Sequence, residues 1–179
     1  MLKIYYADVS ALGGKEILHK AWRAMLKMEV PDCVITKSKN GKPYFTNSEL
    51  YFNISHSYPY VVCAFADCDV GIDIEKMRYV SKKTAQRVFT NDELELLNTG
   101  AEFLQIWTAK ECVIKAAGGS IVADCKKADV SSFSDCVLEG KKYYLKRVDI
   151  PECICFVATA ERQNNIEIIK AEINGMHLA

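Results

Sequence analysis

The stretch from Ala101 to Ala117 constrains the fold more than any other part of the chain. Its apolar residues recur at helical spacing and Gly118-Gly119 follows at once, the signature of an amphipathic helix closed by a glycine cap. At 100° per residue, Phe103, Ile106, Trp107, Val113 and Ile114 fall in one arc of about 120°, and Lys110 projects into the middle of it. A lysine kept only for solubility would not sit there. Glu111 and Lys115, four residues apart and so neighbours on the helix surface, lie along the edge of the arc together with Leu104.

The rest of the chain sorts into segments of one period or the other. From Lys15 to Glu29, apolar Ile17, Leu18, Ala21, Trp22, Met25 and Leu26 recur at three and four, predicting a helix that Pro31 stops. Cys33 to Thr36 and Pro43 to Phe45 flank Asn40-Gly41, which accepts the positive φ of a tight turn, so a hairpin is expected. Tyr51 to Ile54, Val61 to Ala66 and Val70 to Glu75 read as strands of a meander, with Ser-His-Ser-Tyr-Pro and Asp67-Cys68-Asp69 as turns. A helix is expected at Ser81 to Phe89, and Thr90 with Glu93 forms a capping box for another running to about Asn98, closed by Thr99-Gly100. Lys142 to Asp149 and Cys153 to Ala160 complete the pattern as strands.

Helix, strands, helices, strands is the order of an α+β protein, and helix followed by meander occurs twice. The expectation is two similar α+β lobes, residues 1–75 and 76–179, rather than a doubly wound parallel sheet. The site is then expected between the lobes.

Charge and hydropathy exclude whole classes of function. Lysine plus arginine equals aspartate plus glutamate at 23 each, which argues against a nucleic-acid partner. No apolar run approaches the roughly 20 residues that cross a bilayer, and Met1 to Tyr6 lacks a signal-peptide layout, so a cytoplasmic protein without a membrane partner is expected. The eight cysteines form neither a CxxC pair nor a zinc-spaced cluster with histidine, and are read as buried thiols.

In Gly71-Ile72-Asp73-Ile74-Glu75 the two-residue period of a strand sends Asp73 and Glu75 to one face, about 7 Å apart, and the isoleucines to the other. Carboxylates so close repel unless a cation intervenes, and hard oxygen donors of this kind suit Mg²⁺ with substrate phosphates. A solvated outer face would give the same pattern. In Asn53-Ile54-Ser55-His56-Ser57 a strand runs into a polar turn able to donate several hydrogen bonds to a phosphate, whereas His19 and His177 have no comparable surroundings. Neither a GxGxxG fingerprint nor a Walker A loop is present.

Taken together, Asn53-Ile54-Ser55-His56-Ser57, Gly71-Ile72-Asp73-Ile74-Glu75 and Trp107-Thr108-Ala109-Lys110-Glu111-Cys112-Val113-Ile114-Lys115-Ala116 resemble, in order and spacing, the motifs of the 4'-phosphopantetheinyl transferase superfamily. The likeness is to its larger type, which activates surfactin synthetase. It takes in Gly41-Lys42-Pro43 and Arg87 to Glu93 and is good from about Asn40 to Gly119. The resemblance implies a pseudo-twofold pair of lobes with coenzyme A, as substrate, in the cleft between them. Asp73, Glu75 and Glu111 would then hold Mg²⁺. Lys42, Ser55 and His56 would meet the adenosine and 3'-phosphate end, and Lys110 and Lys115 the phosphates. Asp73, Glu111 and Lys115 are the catalytic candidates, Glu111 as base or as ligand. For the grip on the 3'-phosphate nearer the N-terminus, Lys15 and Lys20 are the candidates.

The activity implied is Mg²⁺-dependent transfer of phosphopantetheine to a serine of an apo acyl or peptidyl carrier protein, with release of 3',5'-ADP, by a monomer. Phe89 and Leu94 to Leu97 are candidates for docking a helix of the carrier, although core packing explains the same spacing. A catalytically idle coenzyme A-binding module and a metal-dependent phosphohydrolase stay open as alternatives.

Overall fold

The computed structural model describes residues 1–80, 82–98 and 102–174. Ser81, Thr99, Gly100 and Ala101, where helix ends are expected, lie outside the described residues, as does His177. The elements run β1 (Leu2–Asp8), α1 (Ile17–Glu29), β2 (Ile35–Lys37), β3 (Pro43–Phe45), β4 (Tyr51–Ser57), β5 (Tyr60–Ala66), β6 (Val70–Lys76), α2 (Ala85–Val88), α3 (Asn91–Asn98), α4 (Phe103–Ala117), α5 (Ile121–Asp124), β7 (Asp135–Leu138), β8 (Lys141–Arg147), β9 (Cys153–Thr159) and β10 (Ile166–Lys170).

Two four-stranded sheets organise the chain, one in the order β10-β1-β5-β4 and the other β6-β9-β8-β7. Pairing is antiparallel throughout except for β1 with β10. The α+β class read from the sequence is therefore the class observed. β5 and β9 are buried at every position, which is why Val61 to Ala66 reads as an unbroken apolar run instead of an alternating one. Leu2, Ile4, Val62 and Ala64 of the first sheet meet Ile72, Ile74, Cys155 and Val157 of the second in one core. The opposite face of the first sheet takes Trp22, Met25 and Leu26 of α1. The opposite face of the second takes Ile106, Val113 and Ile114 of α4. Helix, sheet, sheet and helix are thus stacked in four layers.

The expected hairpin forms, with β2 antiparallel to β3 and Gly41 at φ 84°. The meander does not. β4 and β5 pair as expected, but β6 leaves them and pairs with β9, because its isoleucine face is needed between the two sheets. The strands accordingly cross the expected division at residue 75, β6 to one sheet and β10 back to the other. Ser55-His56-Ser57 is strand, not turn: β4 continues through Ser57 in register with β5, and the reversal is confined to Tyr58-Pro59, whose peptide bond is cis. β1, β7, β10 and α5 were not expected from the sequence.

All eight cysteines are free thiols, and only Cys33 is not buried. Of the candidate docking residues, Phe89 and Leu97 are buried in the α4 core, and Leu94 and Leu96 are half-buried against it. No helix among the described residues is long and apolar enough to cross a membrane.

Candidate active site

β6 delivers two carboxylates to α4, and a glycine sets the distance between the elements. A Cβ on Gly71 would lie 2.1 Å from the Cys112 carbonyl oxygen and 2.3 Å from the Ala116 nitrogen, so only the bare backbone lets α4 rest on β6. Two residues along the same strand face, Asp73 then falls under the Glu111–Lys115 edge of the helix. Lys115 Nζ stands 2.5 Å from Asp73 Oδ1 and 3.5 Å from Glu111 Oε2. Asp73, Glu75, Glu111 and Lys115 share one cleft of about 820 Å³.

The third side of this arrangement is β4. Asn53, Ser55 and Ser57 project from alternate positions toward β6. Asn53 Oδ1 accepts the Ile72 amide at 2.9 Å, Ser55 Oγ donates to Asp73 Oδ1 at 2.7 Å, and Ser57 Oγ accepts the Lys76 amide at 2.9 Å. Ser57 Oγ also donates to Glu75 Oε2 at 3.4 Å.

Electrostatics follow from the crowding. Burial and then repulsion from Asp73 push the Glu111 carboxyl up to about 7. The same two causes, in the same order, raise Glu75. Burial alone would lower Lys115, but Asp73 and Glu111 outweigh it and hold its ammonium above the ordinary lysine value. Lys115 answers Asp73 and Glu111, and Arg78 stands 3.6 Å from Glu75 Oε2, so three carboxylates face two cations, an excess of negative charge that a further cation would relieve.

The candidates read from the sequence do not all arrive at this place. Asp73, Glu75, Glu111, Lys115, Ser55, His56 and Lys42 line the cleft. Lys110 does not. It is completely buried on the far side of α4, ion-paired with Glu93 at 2.8 Å and donating to the carbonyls of Cys125 and Ala128. The lysine in the apolar arc is thus explained by a buried partner rather than by a phosphate. Glu93 also accepts the Thr90 and Val130 amides, so the expected capping box doubles as the clamp for Lys110. Lys42, whose pKa burial lowers, donates to the carbonyls of Ala116 at 2.9 Å and Val70 at 3.3 Å, fastening the hairpin to the end of α4.

On the N-terminal side, Lys20 lies outside the cleft, and Lys15 lines a neighbouring cavity that shares His19 and His56 with it. The residues of α1 that reach the cleft are His19, Trp22 and Arg23, joined by Lys37 of β2. His19, set aside in the sequence reading, accepts the indole N–H of Trp22 at 3.3 Å, and the Arg23 guanidinium lies 5.0 Å from the Trp22 ring centre. The signal available in the sequence was their i, i+4 spacing beside the apolar stripe of α1.

Among the described residues, no three His, Cys, Asp or Glu side chains already form a metal cage. The donor set nonetheless fits a hard divalent cation. Asp73 Oδ2 is buried and has no hydrogen-bond partner among the described residues, the state of an oxygen that accepts from something the chain does not itself supply. Glu75 and Glu111 open onto the same space.

Comparison with known proteins points the same way. The family model described as the 4'-phosphopantetheinyl transferase superfamily matches residues 69–168, a stretch that holds Asp73, Glu75, Glu111 and Lys115. The chain is 31% identical over 153 residues to 4'-phosphopantetheinyl transferase psf-1 of Bacillus pumilus, covering 82% of this chain and 63% of that one. With 4'-phosphopantetheinyl transferase Sfp of Bacillus subtilis it shares 34% identity over 99 residues, 51% of this chain and 44% of Sfp. With AcpT of Salmonella typhimurium it shares 30% over 144 residues, 73% of this chain and 71% of AcpT. The chain spans about half to two thirds of the length of the first two of these relatives.

Proposed function

Because the chain belongs to the 4'-phosphopantetheinyl transferase superfamily, we propose that it moves the phosphopantetheine arm of coenzyme A onto a serine hydroxyl of an apo acyl or peptidyl carrier protein. The observation that carries this reading is the buried, half-satisfied carboxylate of Asp73, set with Glu75, Glu111 and Lys115 in a cleft of about 820 Å³. Such a volume lies within the range of sites that enclose a small cofactor.

Asp73, Glu75 and Glu111 would hold Mg²⁺, which when bound supplies charge neutralisation at the pyrophosphate of coenzyme A. Lys115 adds a fixed positive charge beside them, where negative charge builds on the phosphoryl oxygens. As the serine oxygen bonds to the β-phosphorus, the bond from that phosphorus to the bridging oxygen breaks and 3',5'-ADP leaves. Glu111, beside the reacting centre, would take the serine proton, directly or through one water. Arg23 and Lys37 give the rest of the cleft a cationic lining for the nucleotide end, and His19 and His56 add polar ring nitrogens. Both sheets of the site come from one chain, which supports a monomer. The balanced charge supports a protein partner rather than nucleic acid, and the cytoplasm, where coenzyme A and carrier proteins meet, is the place of action.

Chromatography of the nucleotide product tests the reaction. With coenzyme A and Mg²⁺, 3',5'-ADP is expected only when an apo carrier is present. Its release without carrier would point to a hydrolase, and no release from an enzyme that binds coenzyme A would point to an idle module.

A further inference from the structure

β6 and β4 are both edge strands, and they run side by side without a backbone ladder between them. Edge strands expose amides that must find partners, and here side chains provide them. Asn53 Oδ1 takes the Ile72 amide and Ser57 Oγ takes the Lys76 amide, so the two bonds bracket Asp73 and Glu75 on either side. Between them, Ser55 Oγ bonds Asp73 itself. Asn53 is 5% exposed, so losing its acceptor would leave the Ile72 amide with no water to replace it.

We propose that Asn53 and Ser57 are positioning residues: they act as rungs between the two sheets and fix the height of the Asp73–Glu75 strand against α4. The Asn53-x-Ser55-x-Ser57 alternation is then a seam between lobes, in which His56 is exposed while Asn53 and Ser55, also on the cleft wall, are buried. The spacing of two is what a strand needs to place three polar groups on one face. A misplacement of about 1 Å at a reacting group can lower turnover by about two orders of magnitude, so a rung that touches no substrate still bears on the rate.

Ser57 is half-buried, which allows a clean comparison: Ser57→Thr keeps the hydroxyl, and Ser57→Val has the same shape without it. Hydrogen exchange read amide by amide should show Lys76 exchanging about three- to tenfold faster in Ser57→Val than in Ser57→Thr, the worth of one hydrogen bond, with amides of the other β-strands unchanged. Asn53→Leu should do the same at Ile72. This arm does not depend on the proposed reaction. The kinetic arm rests on the transferase reading: Ser57→Val should lower kcat by about tenfold with KM for coenzyme A unchanged, and Ser57→Thr should restore it. Equal exchange at Lys76 in the two variants would overturn the seam. A rise in KM for coenzyme A alone would make Ser57 a substrate contact instead. If the wild-type protein transfers nothing, the reaction fails while the exchange comparison still decides the seam.

Discussion

Lys110 and Glu111 are consecutive on α4, and the 100° between them sends one into the protein and the other to the cleft. Lys110 and Glu93 are both fully buried and ion-paired, with Asp129 a further opposite charge near the lysine, so removing Lys110 strands Glu93 in a dry interior. Lys110→Met should therefore lower the unfolding free energy by about 3–5 kcal/mol in urea titration, whereas a solvent-facing or phosphate-facing lysine would cost far less. For Glu111 the test is pH. Its carboxyl titrates near 4.5 when unfolded and at about 7 when folded, so folding takes up a proton between those values. Stability from this group is complete below the unfolded value and is lost as pH rises through about 7. In EDTA, the Tm of the wild type should fall relative to Glu111→Gln as pH is raised across that window, and Mg²⁺ should restore part of the loss. A constant difference between the two proteins would remove Glu111 from the crowded carboxylate group.

β6 is the element on which the site depends, and Gly71 is the residue that lets α4 reach it. Gly71→Ala would push backbone against backbone, where no side chain can give way, so the helix must lift. A Tm loss corresponding to about 1–3 kcal/mol or more is expected, together with loss of transfer; wild-type stability would show that the two elements are not in this contact. The local pattern of β6 was legible: its alternation placed Asp73 and Glu75 on one face correctly. Its partner was not, because the same isoleucine face could have covered either sheet. Lys110 was misread for a related reason, since helical periodicity gives a direction but not what stands there, and Glu93 is 17 residues away in sequence. The β2–β3 turn and both long helices were readable because Asn40-Gly41, Pro31 and Gly118 act locally. β1 and β10 were not, because their order comes from neighbours distant in the chain, Cys63 opposite Tyr5 being one case.

Across the whole molecule, two helix-on-sheet layers meet back to back, and the cleft opens where their edge strands run together. Neither sheet could make this site alone: β4 supplies Ser55 and His56, while β6 and α4 supply the carboxylates and Lys115. Recognition of the family from sequence succeeded because three short motifs lie on just these elements, although Lys42 and Ser55 turn out to be engaged with the protein itself. The most direct test of the account is intact-mass spectrometry of an apo carrier protein incubated with this protein, coenzyme A and Mg²⁺, beside Asp73→Asn and EDTA controls. The account predicts a gain of about 340 Da, one phosphopantetheine arm, that is absent from both controls. An unchanged carrier mass across a panel of apo acyl and peptidyl carriers, or a gain that survives in Asp73→Asn, would contradict it.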